Sequence, residues 1–321
     1  MRELLEQLCP LPGPSGHEDP VRDAIARIVG PLADEVRTDA LGNLIVRKGS
    51  NGPRVMMAAH LDEVGFIVTH VDKDGFLRFG NIGGVRAVQM VGQRVQFLDG
   101  STGVVGCEKV KDPKELQPEH LFIDSPVPHK VGDCCCTVGP TLFQGKTVTS
   151  KALDDRSGCC VLIEVLQRLC SEGFPQVEAY FVFTVQEELG LRGAQTAAFT
   201  IKPDVGIAVD VAPAGDTPNA KSTSLRLGKG VAIKVKDNSV ITNLTVRRKL
   251  EELAQKQGIP YQLEVLERGG TDAGAIQLSA GGVPTGALSI PVRYVHSPSE
   301  TVHLDDMEAC VNLLAAFLKG V

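Results

Sequence analysis

Tyr180-Phe181-Val182-Phe183-Thr184-Val185-Gln186-Glu187-Glu188-Leu189-Gly190 runs from an apolar stretch straight into two adjacent carboxylates. The apolar part reads as a buried strand, and the acids arrive where that strand ends. Charged groups at the margin of a core need partners or metals. A lone Glu-Glu pair is most often a solvated loop start, so the weight rests on whether the arrangement recurs. It does. Val55-Met56-Met57-Ala58-Ala59, continuous as in a strand covered on both faces, runs into His60. Val205-Gly206-Ile207-Ala208-Val209 ends in Asp210, and Ala287-Leu288-Ser289-Ile290 is followed shortly by His296. Asp154 stands ahead of a helix in which Val161, Leu162, Val165, Leu166 and Leu169 recur at helical spacing. Such alternation predicts an α/β domain, whose strand ends converge on the crevice where ligands bind.

Composition narrows the class. A chain of 321 residues, 43% hydrophobic, can bury one large domain and a smaller one. The net charge is −6 and no basic cluster stands out, so neither nucleic acid nor a membrane surface is expected as a partner. The first residues lack a signal-peptide core, and no apolar run is long enough to span a bilayer, so the expected location is cytoplasmic. Nine cysteines, an odd number, argue for reduced thiols and against a secreted disulfide framework. Cys134-Cys135-Cys136 lacks paired CxxC spacing and reads as small hydrophobes in a β segment.

Working outward, Asp19-Pro20 opens an amphipathic helix with Val21, Ile25, Ile28 and Val29 on one face. Residues 36–39 and 44–47 read as a hairpin about Gly42-Asn43. From about Gly65 to Ser150 short β-type runs alternate with glycine turns and helical periodicity is almost absent, which predicts an all-β insert in the α/β domain. Asn243 caps a helix that stops before Gly258, and a final helix begins near Asp305.

Two imidazoles and several carboxylates at converging strand ends suit a binuclear metal site. Two ions can hold a water between them, lower its pKa and polarise a carbonyl, and a further, unligated carboxylate must then carry the proton. His60, Asp154, Glu188, Asp210 and His296 as ligands would leave Glu187 for that task. Periodicity does not distinguish the two glutamates, because strand neighbours point to opposite faces. Taken singly, each residue has an ordinary reading: a histidine is usually hydrogen-bonded and an Asp before a helix is usually a cap. His17, His70, His120, His129 and His303 keep that reading. A metal-independent glycoside hydrolase is the first alternative, but Glu187 and Glu188 make a poor acid–nucleophile pair. Aromatic residues, at 4% with no Trp, also leave few platforms for sugar rings. A non-catalytic assembly or thiol-sensor protein, built on the insert and Cys134 to Cys136, is the other.

Six segments carry a resemblance to a known family. They are residues 59–65 around His60, Lys151 to Arg156, Phe183 to Gly190, Val209 to Pro218, Gly269-Gly270-Thr271-Asp272-Ala273, and Arg293 to Glu300. In this order they resemble the TET-type (tetrahedral) metallo-aminopeptidases, a family that includes glutamyl aminopeptidases and homologues named as endoglucanases. The resemblance implies a mixed sheet sandwiched by helices, of the co-catalytic-zinc peptidase type, formed by residues 1–65 and 150–321. It also implies an inserted β-barrel dimerisation domain over 66–149. Two divalent ions, zinc or cobalt, are implied per subunit. Asp154 would bridge them, His60 and Asp210 completing one set and Glu188 and His296 the other. Glu187 matches the general base and Asp62 the acid that orients His60. The Asp154-Asp155 bond matches one that is cis in the family, and Thr271 and Asp272 match a loop beside the substrate pocket. Short peptides are the implied substrates and a homo-oligomer the implied assembly. Family members form hollow dodecamers, but Lys111 to Asp133 is compressed relative to the family's insert, so a dimer is the expected unit.

Overall fold

A computed structural model of the chain describes residues 1–220 and 223–321. The strands in chain order begin with β1 (Glu35–Thr38), β2 (Leu44–Lys48) and β3 (Arg54–His60). Six follow in the insert: β4 (Gly65–Val71), β5 (Leu77–Ile82), β6 (Arg94–Phe97), β7 (Thr102–Cys107), β8 (Leu121–Asp124) and β9 (Cys134–Thr137). The chain continues with β10 (Leu142–Gln144), β11 (Thr147–Ser150), β12 (Glu178–Thr184), β13 (Val205–Pro213), β14 (Val231–Lys236), β15 (Tyr261–Val265), β16 (Thr285–Arg293) and β17 (Glu300–His303).

One sheet has eleven strands, ordered β1-β2-β12-β3-β13-β16-β17-β11-β10, with β14 and β15 branching from β16. Its centre, β12-β3-β13-β16, is parallel, and its flanks are antiparallel. The mixed sheet expected from the sequence is present. Helices cover both faces. The helices α1 (Arg2–Leu8), α2 (Asp19–Val29) and α3 (Ala87–Met90) precede α4 (Leu153–Glu172), α5 (Arg192–Ile201), α6 (Leu244–Gln257), α7 (Asp272–Gln277) and α8 (Leu304–Gly320). Alternation along β3 explains the two layers: Val55, Met57 and Ala59 join the core beneath α4 and α8, while Met56 and Ala58 join the core beneath α5 and α7. A strand buried on both faces must read as a continuous apolar run, and this one does.

Strands β4 to β9 close into a separate barrel in the order β4-β5-β8-β7-β6-β9. Phe66, Phe79, Phe97, Leu121 and Ile123 fill it, with Phe66 and Phe79 edge-to-face at 4.6 Å. Closure leaves no free edge. All nine cysteines are free, and Cys134 to Cys136 are buried in β9, with Cys135 in the barrel core. Beyond the barrel, β10 and β11 leave the insert and join the large sheet, β11 pairing antiparallel with β17. Among the described residues no helix is long and apolar enough to cross a membrane.

Two capping expectations can be compared directly. Asn243 caps α6, its side chain accepting from the N–H groups of Thr245 and Val246, and Gly258 closes the helix at φ 66°. At α2 the N-cap is Glu18, and Asp19 is already inside the helix ahead of Pro20.

Candidate metal centre

Register places the first three elements. In the parallel pair β12/β3, Thr184 stands opposite His60, so Glu187 and Glu188 follow just beyond the end of the His60 strand. β13 pairs with β3 only as far as Ala208 opposite Ala58. Asp210 is therefore inside β13, which runs on to Pro213, yet beyond the last pair with β3 and level with His60. Strand continuation on the β16 side accounts for the difference from the expected strand end.

Asp154 joins the two imidazoles. Its Oδ1 lies 3.0 Å from His60 Nε2, and its Oδ2 lies 3.2 Å from His296 Nε2. Asp210 Oδ1 is 3.8 Å from His60 Nε2, and Glu188 Oε1 is 3.1 Å from His296 Nε2. The five residues expected as ligands thus gather as two groups that share Asp154. The other ring nitrogens are held as ligating histidines require: His60 Nδ1 donates to the Asp62 carbonyl at 3.0 Å, and His296 Nδ1 to the Gly84 carbonyl at 2.8 Å. The Asp154–Asp155 peptide is cis.

Asp62 does more than face His60. One carboxylate oxygen accepts from the Glu187 N–H at 3.0 Å, and the other from the Glu188 N–H at 3.1 Å and from Ser15 Oγ at 2.6 Å. A single buried residue therefore holds the histidine through its carbonyl and the two glutamates through its carboxylate. Burial works against its charge, but hydrogen bonds from His60, Ser15 and Glu187 hold the Asp62 carboxyl below its usual range.

The electrostatics of the pocket favour a cation. Burial, with Asp154 close by, pushes the Asp210 carboxyl well above its usual range. Burial also pushes Glu187 well up, opposed by His60 and reinforced by Asp210 and Glu188. Burial opposes a proton on His296, yet Asp154 and Glu188 push its pKa up to about 12, and Asp154 and Asp62 likewise raise His60 well above the ordinary value. So many buried carboxylates call for positive charge between them, which divalent cations supply. Two sets, His60 with Asp154 and Glu188 and His60 with Asp155 and Asp210, offer ligand atoms all within 4.8 Å of one another. The buried Glu188 Oε1, 3.1 Å from His296 Nε2, has no partner in hydrogen-bonding geometry. A nitrogen and oxygen donor set with an unsatisfied carboxylate oxygen fits a divalent ion.

The sequence assigns no side-chain role to three contributors, although Asp155 and Glu300 lie in the family-like segments. Glu300 accepts from the Asp154 N–H at 2.9 Å and from the His296 N–H at 2.7 Å, clamping both segments. Asp155 accepts from the His60 N–H at 3.2 Å and from the Gly158 N–H at 2.9 Å; a Cβ on Gly158 would fall 2.4 Å from its oxygens. Gly84, in the segment after β5, also needs its lack of a side chain, since a Cβ there would lie 2.9 Å from His296 Nδ1. Non-glycine residues in the left-handed region cluster here: Ala152, Gln186, Tyr294 and His296 have φ between 54° and 61°. Such conformations concentrate where function demands them.

A cavity of about 430 Å³ opens over the centre, lined by Asp154, Glu187, Glu188, Asp210 and His296, with Arg268 also on its wall. Thr271 and Asp272 are buried beneath that wall, and it is Gly269 and Gly270 that reach the cavity. Asp272 accepts from Thr184 Oγ1 at 2.6 Å, and the Thr271 N–H donates to Ser239 Oγ at 3.3 Å.

The chain matches the sequence profile described as M42 glutamyl aminopeptidase over residues 42–313. It is 49% identical to a protein of Acetivibrio thermocellus, over 98% of this chain and 97% of that one. It is 35% identical to the lysyl aminopeptidase of Pyrococcus furiosus, over 99% and 96%. Among solved structures it superposes on the TET1 peptidase of Pyrococcus horikoshii, which can assemble into a tetrahedron or a large octahedral shell. That superposition has a TM-score of 0.90 at 33% identity and covers 100% of this chain and 99% of that one.

Proposed function

The chain belongs to the M42 family of glutamyl aminopeptidases, and on that premise we propose that it is a binuclear metallo-aminopeptidase removing N-terminal residues from short peptides. One observation carries the proposal: the two oxygens of Asp154 face two different imidazoles, at 3.0 and 3.2 Å. A bridging carboxylate needs that disposition. His60 and Asp210 complete one ligand set and Glu188 and His296 the other. Divalent cations held there, zinc or cobalt by the donor types, would polarise the scissile carbonyl and acidify the attacking water. Glu187 lines the same cavity, and we assign it the proton transfer from water to the leaving amine. Asp62 orients His60 and fixes the backbone of Glu187 and Glu188. Thr271 and Asp272 shape the substrate wall by holding Gly269 and Gly270.

We divide the chain into a discontinuous catalytic unit, residues 1–65 and 150–321, and an inserted unit, residues 66–149, whose last strands lie on the edge of the large sheet. The likeness to the shell-forming TET1 peptidase supports a homo-oligomer, and we assign its dimer contact to the barrel. Nine free cysteines suit a reducing compartment such as the cytoplasm.

Asp154→Ala tests the bridging role. It should bind at most a small fraction of the metal that the parent binds, measured by elemental analysis after equilibration in buffered zinc. Full metal content in that variant would remove Asp154 from the bridge.

A further inference from the structure

Two buried charges next to the centre have no part in the chemistry above. Glu63 follows Asp62 directly, and Lys151 stands three residues before Asp154. Lys151 Nζ donates to both oxygens of Glu63, at 2.6 and 2.8 Å, and to the Leu11 carbonyl at 3.2 Å. The Gly13 N–H donates to Glu63 Oε1 at 3.1 Å. Arg156, fully buried, donates to the carbonyls of Leu61 at 2.9 Å and Leu8 at 2.8 Å, and its Nη2 stands 3.7 Å from Glu63 Oε1. With Glu63 and Lys151 side chains only 3% and 2% exposed, residues 8–13, 61–63 and 151–156 meet around one buried carboxylate.

A buried ion pair is a weak source of stability, because apolar groups of similar volume often do as well or better. It does impose geometry when both partners are fully hydrogen-bonded. The geometry at stake is the gap between the segments that carry His60 and Asp154. In the large sheet, β13, β16 and β17 separate β3 from β11, so no ladder joins the strands that precede Glu63 and Lys151. The chain leaves for the barrel just after Glu63, rejoins the large sheet through β10 and β11, and reaches Lys151 directly after β11, so this pair ties together two segments that no ladder joins.

We infer that the Glu63–Lys151 pair, backed by Arg156, is a positioning device that sets the separation of the His60 and Asp154 segments and thereby the affinity of the centre for its cations. The inference rests on reading that centre as a metal site. Neither residue is a ligand, since both oxygens of Glu63 are taken by Lys151. The pair acts through His60 and Asp154.

The test follows thermal unfolding of the full chain in excess chelator and then across a series of buffered free zinc concentrations. The variants are Lys151→Met, Lys151→Arg and the double variant E63Q/K151M. The double variant removes both charges together and keeps an acceptor for Gly13, so it carries the test even where the single variant fails to fold. A merely structural pair would shift the metal-free melting temperature and leave the zinc-dependent rise alone. The positioning role predicts the reverse for E63Q/K151M: a metal-free melting temperature close to the parent's, and at least about tenfold more free zinc for the same rise, the penalty typical of groups supporting metal ligands. Lys151→Arg should recover most of the zinc affinity. A zinc response in E63Q/K151M equal to the parent's overturns the inference while leaving the metal reading intact. No zinc response in the parent itself overturns both.

Discussion

Asp62 is the residue on which the centre depends most economically. Its carboxylate accepts from both glutamate N–H groups while its carbonyl accepts from His60, so the proposed ligand His60 and the proposed proton carrier Glu187 are placed by one buried residue. In the proposed assignment Glu187 is not a ligand, so its function should be separable from metal binding. Glu187→Gln should retain the parent's metal content and lose about 10²–10⁴-fold in turnover, the usual worth of positioned proton transfer. Near-normal turnover would transfer the proton role elsewhere. At this scale the residues that gather at the centre were legible, because imidazole or carboxylate at or near the end of an apolar run is unusual enough to notice when it repeats. Asp155, Gly84 and Glu300 were not. Asp155 and Glu300 accept backbone N–H bonds and Gly84 presents a carbonyl, contacts set by tertiary approach with no periodicity to mark them.

Among the elements, the insert reaches the centre directly. The Gly84 carbonyl accepts from His296 Nδ1, and Gly83, with φ 76°, packs where a Cβ would fall 3.1 Å from Glu188 Oε2. The loop after β5 thus shapes one of the two ligand sets. Gly84→Val should weaken zinc binding about 10–100-fold, as loss of a ligand's supporting partner does, with the helical circular dichroism of the parent retained. Zinc affinity equal to the parent's would show that the loop is only a neighbour. The central strands were legible because β3, β12 and β13 are buried on both faces and read as continuous apolar runs. β14 gave no such sign: Lys234 interrupts it, buried against Glu264 of β15. β11 reads as one more β run of the insert, and its partner, β17, lies some 150 residues away, so its place in the large sheet is a long-range fact that local pattern does not carry.

For the whole molecule, the barrel removes its own sheet edges, so an assembly through it must use side-chain surface and not strand addition. The proposed unit is a dimer, and sedimentation velocity should give a mass near twice 34.2 kDa. A monomer at micromolar concentration would contradict assembly through the barrel, and a much larger particle would extend it toward a shell. In the proposed reading, two cations held by His60, Asp154, Glu188, Asp210 and His296 make this chain a peptidase. Its most direct test is hydrolysis of a panel of amino-acid amides and short peptides, with chelator, without it, and after metal is restored. Activity that disappears with chelator and returns with zinc or cobalt is the predicted result. Peptide hydrolysis indifferent to chelator, or none on any peptide with metal restored, would contradict it.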